Sequence, residues 1–491
     1  QNIGTVESVD VPNRTLKIKR TGKTKDFHPS TAFFHNVVSA LELENSLVRI
    51  GQYFADNGIE SADSYQVTQA LLLRNRPIPN NHGLRKPAES ALDAAIRLIS
   101  GNTDMVLPIQ GPPGSGKTYT GARMICELVR DGKNVGITAV SHRVIRNLLL
   151  AVDAAAEELG IPISIGHRGR ETTGTNLVEI KSNKAAHEKL ADGDLAVVGG
   201  TAWLWARPEM MESVDVLFID EAAQMSLADA LAASPAGKSM VLLGDPQQLS
   251  QPQQGTHPEG TSGSALEHIL NGEKTIADTD GLFLEETWRM NPAICEFTSE
   301  LFYENRLSAR GGLENQRLEG TSRFIGTGLW FVPVEHSGNV NYSIEEVDKV
   351  AEIYDELTSG NAGWRNQSGK VATLQSEDIL IIAPYNAHVN RIIERLPSAR
   401  VGTVDSFQGQ EAAVVIYTLG TSSPEDAPRG MEFLYSLNRF NVATSRARCA
   451  SILIANPRIL EPECRTPNQI RLANAFCRYK EMAQVIEGSP L

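Results

Sequence analysis

The chain reads as an α/β protein built on parallel sheets flanked by helices, and three observations predict it. From Leu84 onward, short β-rich apolar runs recur, among them VGITAV, LAVVGG, VDVLFID, SMVLLGD, DILIIAPY and AAVVIYTLG. Segments of helical period separate them, as crossover-connected parallel strands require. One strand-to-helix junction, Gly111 to Thr118, reads GPPGSGKT and fits the phosphate-cradling pattern G-x-x-x-x-G-K-S/T at every fixed position.

Taken in chain order, residues 1–32 alternate, with Val6, Val9 and Val11, then Leu16 and Ile18 between basic residues. That is the signature of a β-hairpin or part of a small barrel. Residues 33–83 show helical periodicity in VVSALELENSLVRIGQYF and end in NRPIPNNHG, a linker by its Pro, Asn and Gly content. The run Met105 to Ile109 is a buried strand. Tyr119 to Arg130 is a helix with Met124, Ile125, Leu128 and Val129 on one face. Between them, Gly111, Pro112, Pro113, Gly114, Ser115 and Gly116 let backbone N–H groups turn toward phosphate oxygens at a helix N-terminus. Lys117 is placed to reach the β- and γ-phosphates, Thr118 to hold Mg²⁺, and Tyr119 to border the nucleotide. Segments 251–264 and 421–430 read as loops.

Two further strand ends carry chemistry. VDVLFIDEAAQ ends on Asp220 and Glu221. Beside a P-loop, the first carboxylate holds Mg²⁺ and the second orients and deprotonates an attacking water. VLLGDPQQLSQP then places Gln247 and Gln248 at a strand mouth, where a neutral amide can sense a γ-phosphate without competing for the metal.

Composition bounds the class. At 491 residues the chain is too long for one core. With 41% hydrophobic and 21% charged residues it has an ordinary globular composition. No apolar run reaches membrane-spanning length, and the opening residues show no signal-peptide pattern. The start at Gln1 leads us to expect a fragment that lacks an N-terminal partner domain. The five cysteines form no C-x-x-C pair, which disfavours zinc and iron–sulfur sites and suits reduced thiols in a cytoplasm. A net charge of −13 argues against a generally basic nucleic-acid binder but leaves room for a local basic channel. Arg14 to Lys25 and Arg143 to Arg170, with Arg146, His167 and Arg168, are locally basic, either as such a channel or as solvated faces.

The ordered set GPPGSGKT, DEAAQ, GDPQQL, ETWRMNP, VDSFQGQE and NVATSRAR resembles the superfamily 1 helicases, in particular their B class, from about Leu84 to about Pro457. The ending FLYSLNRFNVATSRAR further resembles bacterial proteins in which a RecB-like nuclease precedes such a helicase. The resemblance implies two tandem RecA-like P-loop domains, residues 84–282 and 283–491, behind a barrel-and-stalk accessory unit in residues 1–32 and 33–83. It implies ATP between the domains, with Lys117, Thr118, Asp220, Glu221 and Gln248 from the first. Arg289 and Arg446 from the second would act as arginine fingers. Such fingers stabilise the transition-state charge only when the cleft closes, which links hydrolysis to domain motion. Trp288 stands where the family stacks an aromatic on adenine. Glu411 is expected near the ribose or γ-phosphate, with Gln408 and Gly409 shaping its loop. Nucleic-acid backbone contacts are implied for Ser141, Thr201, Tyr385 and Thr403, with His142 adding positive charge beside the strand path.

The chain also departs from the family. Glu89 and Ser90 stand where an adenine-clamping glutamine is common, which puts strict ATP selectivity in question. Val140, His142 and Arg146 replace the usual Pro, Asn and Asp, and His388 replaces a common glutamine. The expected activity is an ATP-dependent translocase on single-stranded nucleic acid, DNA favoured over RNA, working 5′ to 3′ and coupled to a nuclease domain in the same polypeptide. The rival readings are an RNA helicase or RNP remodeller, and a P-loop clamp or switch that does not translocate.

Overall fold

The structure, a computed structural model, describes every residue except 1–2, 11–14, 21, 27–37, 61–62, 78–82, 170–175, 252–256, 259–260, 408 and 487–491. Val11, Arg170, Gln408, most of the Pro/Asn linker and part of the loop 251–264 thus lie outside the described residues.

Residues 1–41 form a unit of their own. Its described strands, Thr5–Asp10 and Thr15–Lys19, pair as one antiparallel ladder with nearly every side chain exposed. Among the described residues, the expected barrel is this two-stranded ribbon.

The rest of the chain carries two large sheets, and all their pairings are parallel. The first has eight strands in the order Leu282–Phe283, Val106–Gln110, Gly237–Gly244, Val214–Asp220, Val135–Thr138, Val197–Gly199, Ile165–His167, Val178–Glu179. The second has six, in the order Arg400–Gly402, Ile379–Ile382, Ala412–Thr418, Ala447–Ala455, Gly328–Pro333, Gln484–Val485. Strands this apolar are buried on both faces, and the period-2 alternation divides them. Val216 and Phe218 join the core under the helices Ala91–Gly101, Lys117–Arg130 and His142–Leu159, whereas Leu217 and Ile219 face the opposite core. In the second sheet Ile379 and Ile381 face the helices Ile344–Thr358 and Asn386–Arg395, while Leu380 and Ile382 face the other way. One core is common to the inner faces of both sheets.

One boundary differs from expectation. Leu282 pairs with Ile109, so the strand Leu282–Phe283 belongs to the first sheet and a domain boundary between residues 282 and 283 would cut it. The segment expected as a stalk holds two helices, Leu41–Asn57 and Gln66–Leu73, seated on the first sheet's layer. Ser46 Oγ donates to the Ala232 carbonyl at 2.8 Å, and Arg49 to that of Ala206 at 2.7 Å.

Candidate nucleotide site

The P-loop follows Gln110 directly, and Gly114 and Gly116 take the positive φ values, 72° and 83°, that open it. Lys117 Nζ donates to the Gly111 carbonyl at 2.6 Å. The Ser115 hydroxyl is buried with no hydrogen-bond partner, and Thr118 and Tyr119 are exposed at the helix start. The ETWR segment lies against this loop. Trp288 N–H donates to the Gly114 carbonyl at 2.8 Å and Thr287 Oγ1 to that of Pro113 at 3.0 Å. A Cβ on Gly114 would come within 2.6 Å of Arg289 Cβ, so only glycine allows the approach.

Asp220 and Glu221 end their strand beside the loop. Asp220 is buried, and burial, then repulsion from Glu221, pushes its carboxyl upward against the pull of the Glu221 amide and Lys117. Glu221 is held at φ 52°, a left-handed conformation that costs an ordinary residue on the order of 1 kcal/mol and clusters at functional sites. The buried Asp220, repelled by the partly exposed Glu221, fits a divalent cation, which would neutralise that repulsion.

The two arginines differ in their surroundings. Arg289 Nε donates to Glu411 at 2.5 Å and a terminal nitrogen to the Ser445 carbonyl at 3.3 Å. Arg448 grips the same carboxylate, its Nε at 3.0 Å. Glu411, expected near the ribose or γ-phosphate, bridges the guanidinia of Arg289 and Arg448, paired cations holding a carboxylate tightly. Its acidity is raised by these arginines against the opposing effect of burial. Arg446 is only 4% exposed and its Nε lacks a partner. Burial, then repulsion from Arg289, pushes it down to about 9, with Glu221 and Glu411 opposing. A buried guanidinium with an unmatched donor fits an anion brought into the cleft.

Gln248 donates its side-chain nitrogen to Asp245 Oδ2 at 2.7 Å. Asp245 was not singled out in the sequence, yet it is a buried hub that also accepts from Tyr303 at 2.6 Å and from the Gln247 N–H at 3.2 Å. Trp288 is half exposed, with the Arg310 guanidinium 3.5 Å from its ring centroid. Glu89 is taken up locally. Arg97 donates to both its oxygens at 2.6 and 2.7 Å, and its carboxyl falls to about 2 chiefly through that bond.

The expected strand-contact residues follow the carboxyl ends of parallel strands. Ser141 caps the helix His142–Leu159, accepting from Val144 N–H at 3.3 Å. Thr201 sits at the cap of Ala202–Trp205 without a side-chain bond. Thr403 Oγ1 lies 3.1 Å from Ser406 Oγ. His142 is exposed, its Nδ1 3.4 Å from Nε2 of the buried His167. Tyr385 departs from expectation: it is only 7% exposed, because Phe433 packs over its ring at 5.4 Å. His388 is also buried, 2.9 Å from Thr418 Oγ1.

The sequence missed Asp245, Tyr303, Asn441, Arg310 and Arg448. Of these, Asp245 lies in GDPQQL and Asn441 and Arg448 lie in NVATSRAR, so three of the five carried a local signal. The others acquire partners through long-range folding.

Comparison with known proteins finds AAA domains and helicases. Residues 91–265 and 262–458 each match an AAA domain family. The chain is 25% identical to the putative helicase mov-10-B.1 of Danio rerio over 72% of its length and 40% of that protein's. It is 29% identical to the uncharacterized ATP-dependent helicase MJ0104 of Methanocaldococcus jannaschii, over 59% of this chain and 42% of that one. It is 24% identical to the DNA replication ATP-dependent helicase/nuclease JHS1 of Arabidopsis thaliana, over 78% of this chain and 29% of that one. It thus spans less than half the length of these curated relatives. No described helix is long and apolar enough to cross a membrane. With its P-loop, acidic pair and arginines, the chain is similar to the superfamily 1 helicases.

Proposed function

We propose that the chain is a nucleic-acid-stimulated ATPase that moves along a single strand, DNA in preference to RNA, in the 5′ to 3′ direction. One observation carries the reading. Arg289 and Arg446 stand within electrostatic reach of each other, and Arg446 is also within reach of Glu221, which follows directly on the P-loop sheet. That arrangement serves phosphoryl transfer, in which charge spreads over the γ-phosphoryl oxygens. Lys117 and the loop amides bind the phosphates, Glu221 orients and deprotonates water, and Arg289 and Arg446 take up the developing charge. Thr118 and Asp220 would hold Mg²⁺, whose contribution is charge neutralisation at the phosphates. Ser141, His142, Thr201 and Thr403 line the strand-end surface where open α/β sheets bind ligands. The polarity and the coupling to a nuclease domain in the same polypeptide are supported by resemblance, the latter by helicase/nuclease relatives. A cytoplasmic setting is supported by free cysteines throughout the described chain.

The test is ATP hydrolysis with and without matched single-stranded DNA and RNA, beside Glu221→Gln, followed by unwinding of duplexes with 5′ or 3′ tails. DNA stimulation abolished by Glu221→Gln, with unwinding from the 5′ tail, is the expected result. Steady turnover without strand movement would replace the motor by a clamp, and RNA-only stimulation would change the substrate.

A further inference from the structure

The carboxyl edge of the second sheet carries a side-chain cluster around Phe433 to which the motif readings give no role. Phe433 lies in the short helix Met431–Leu434, between the strand Ala412–Thr418 and the helix Leu437–Thr444. Its ring rests on Tyr385, centroids 5.4 Å apart and planes tilted by 39°. The Arg429 guanidinium stands 3.9 Å and that of Arg439 4.4 Å from the centroid of the same ring. Tyr385 follows the strand Ile379–Ile382, and Arg439 reaches to 3.9 Å from Asp405, two residues past Thr403. The cluster therefore stands among the strand ends that the fold offers to a ligand.

Holding two guanidinia on one ring costs mutual repulsion and side-chain entropy, which cation–π attraction offsets only in part. Phe433 is partly exposed and Arg429 is exposed. A π-face flanked by two cations matches a single nucleic-acid strand, whose phosphates take guanidinia and whose bases stack on rings and guanidinium planes. Glu425 and Glu432 are exposed neighbours, so the patch is not broadly basic. It suits one strand crossing one ring rather than a duplex face.

We infer that Phe433, with Arg429 and Arg439, is a stacking site for one base of the bound single strand, with Tyr385 as its floor. The inference rests on the proposed nucleic-acid activity. Phe433→Leu keeps the packing on Tyr385 and removes the π-face, and the melting temperature of the variant checks that it folds. Binding of a labelled oligodeoxynucleotide of ~15 nucleotides is compared with that of an abasic strand of equal length by fluorescence anisotropy. The wild type prefers the intact strand. Phe433→Leu weakens the intact strand about tenfold and leaves the abasic strand unchanged, and Phe433→Trp restores the preference. Arg429→Gln weakens both strands and lowers the salt slope by about one. A folded Phe433→Leu that binds both strands as the wild type does, or loses both equally, overturns the inference alone. A wild type that binds neither strand overturns the functional reading together with it.

Discussion

Tyr303 donates a hydrogen bond to Asp245 across 2.6 Å, joining the end of a helix packed on the second sheet to the strand mouth that carries Gln248. The tyrosine is buried, and burial, then the Asp245 charge, raises its pKa well above the usual value, so it stays a donor. Asn441 donates to the same hydroxyl at 2.9 Å and to the Gln247 carbonyl at 2.8 Å. Asn441 belongs to the helix Leu437–Thr444, two residues before Arg446. The network thus ties Gln248 to the helix that precedes Arg446 in the chain.

Tyr303→Phe removes the donor and leaves Asp245 short of a partner, at a cost of about 1–3 kcal/mol. The expected outcome is a fall in stimulated kcat of roughly tenfold while the KM for ATP moves less than about threefold, since the P-loop is untouched. Steady-state kinetics on the purified variant decide it. A rise in KM with kcat intact would mean that the network serves binding alone.

Glu411 positions the arginines. It bridges Arg289 and Arg448, so Glu411→Gln releases two guanidinia from one carboxylate. Turnover should fall about tenfold, against roughly a thousandfold for Arg446→Ala, which deletes the charge itself. The double variant should lose little more than Arg446→Ala, because both act on one transition-state charge. Full additivity in a double-mutant cycle would separate the two roles.

What could be read in advance follows from where the information lies. GPPGSGKT and the strand before it are local, so the P-loop, its helix and the parallel order of the core were legible. The alternation of Leu217 and Phe218 across one strand was legible for the same reason. The burial of Tyr385 was not, since Phe433 comes from 48 positions later in the chain and nothing near Pro384 signals it. Glu411 illustrates the same limit: its motif is local, but the Arg289 and Arg448 that claim its carboxylate converge only in the fold.

His167 supplies a pH dependence with a definite sign. Burial, then the nearby His142 and Arg146, lowers it to about 4 from the ordinary 6.5. The unfolded chain therefore takes up a proton first as pH falls, and stability is lost from about pH 6.5 downward, levelling off near pH 4. Between about pH 7.5 and 5 the wild type should lose on the order of 2 kcal/mol more than His167→Gln. Urea midpoints at the two pH values measure it. Parallel losses in both proteins would assign the acid sensitivity to other groups.

Base selectivity follows from Trp288 and Glu89. Both Glu89 oxygens are engaged by Arg97, and one also by the Lys86 N–H at 2.9 Å, so that carboxylate cannot read a base edge. Trp288 offers an exposed π-face backed by Arg310, and every base has a face to stack. Stacking discriminates among bases far less than hydrogen bonding to their edges does. ATP, GTP and CTP should therefore be hydrolysed with kcat/KM values within about tenfold of one another. Trp288→Ala should raise the KM for all three by roughly tenfold and change kcat little, if the ring stacks on the base as proposed and stays away from the γ-phosphate. A preference for ATP above about a hundredfold would show that another side chain reads the adenine edge, and the variant would then lose ATP selectively.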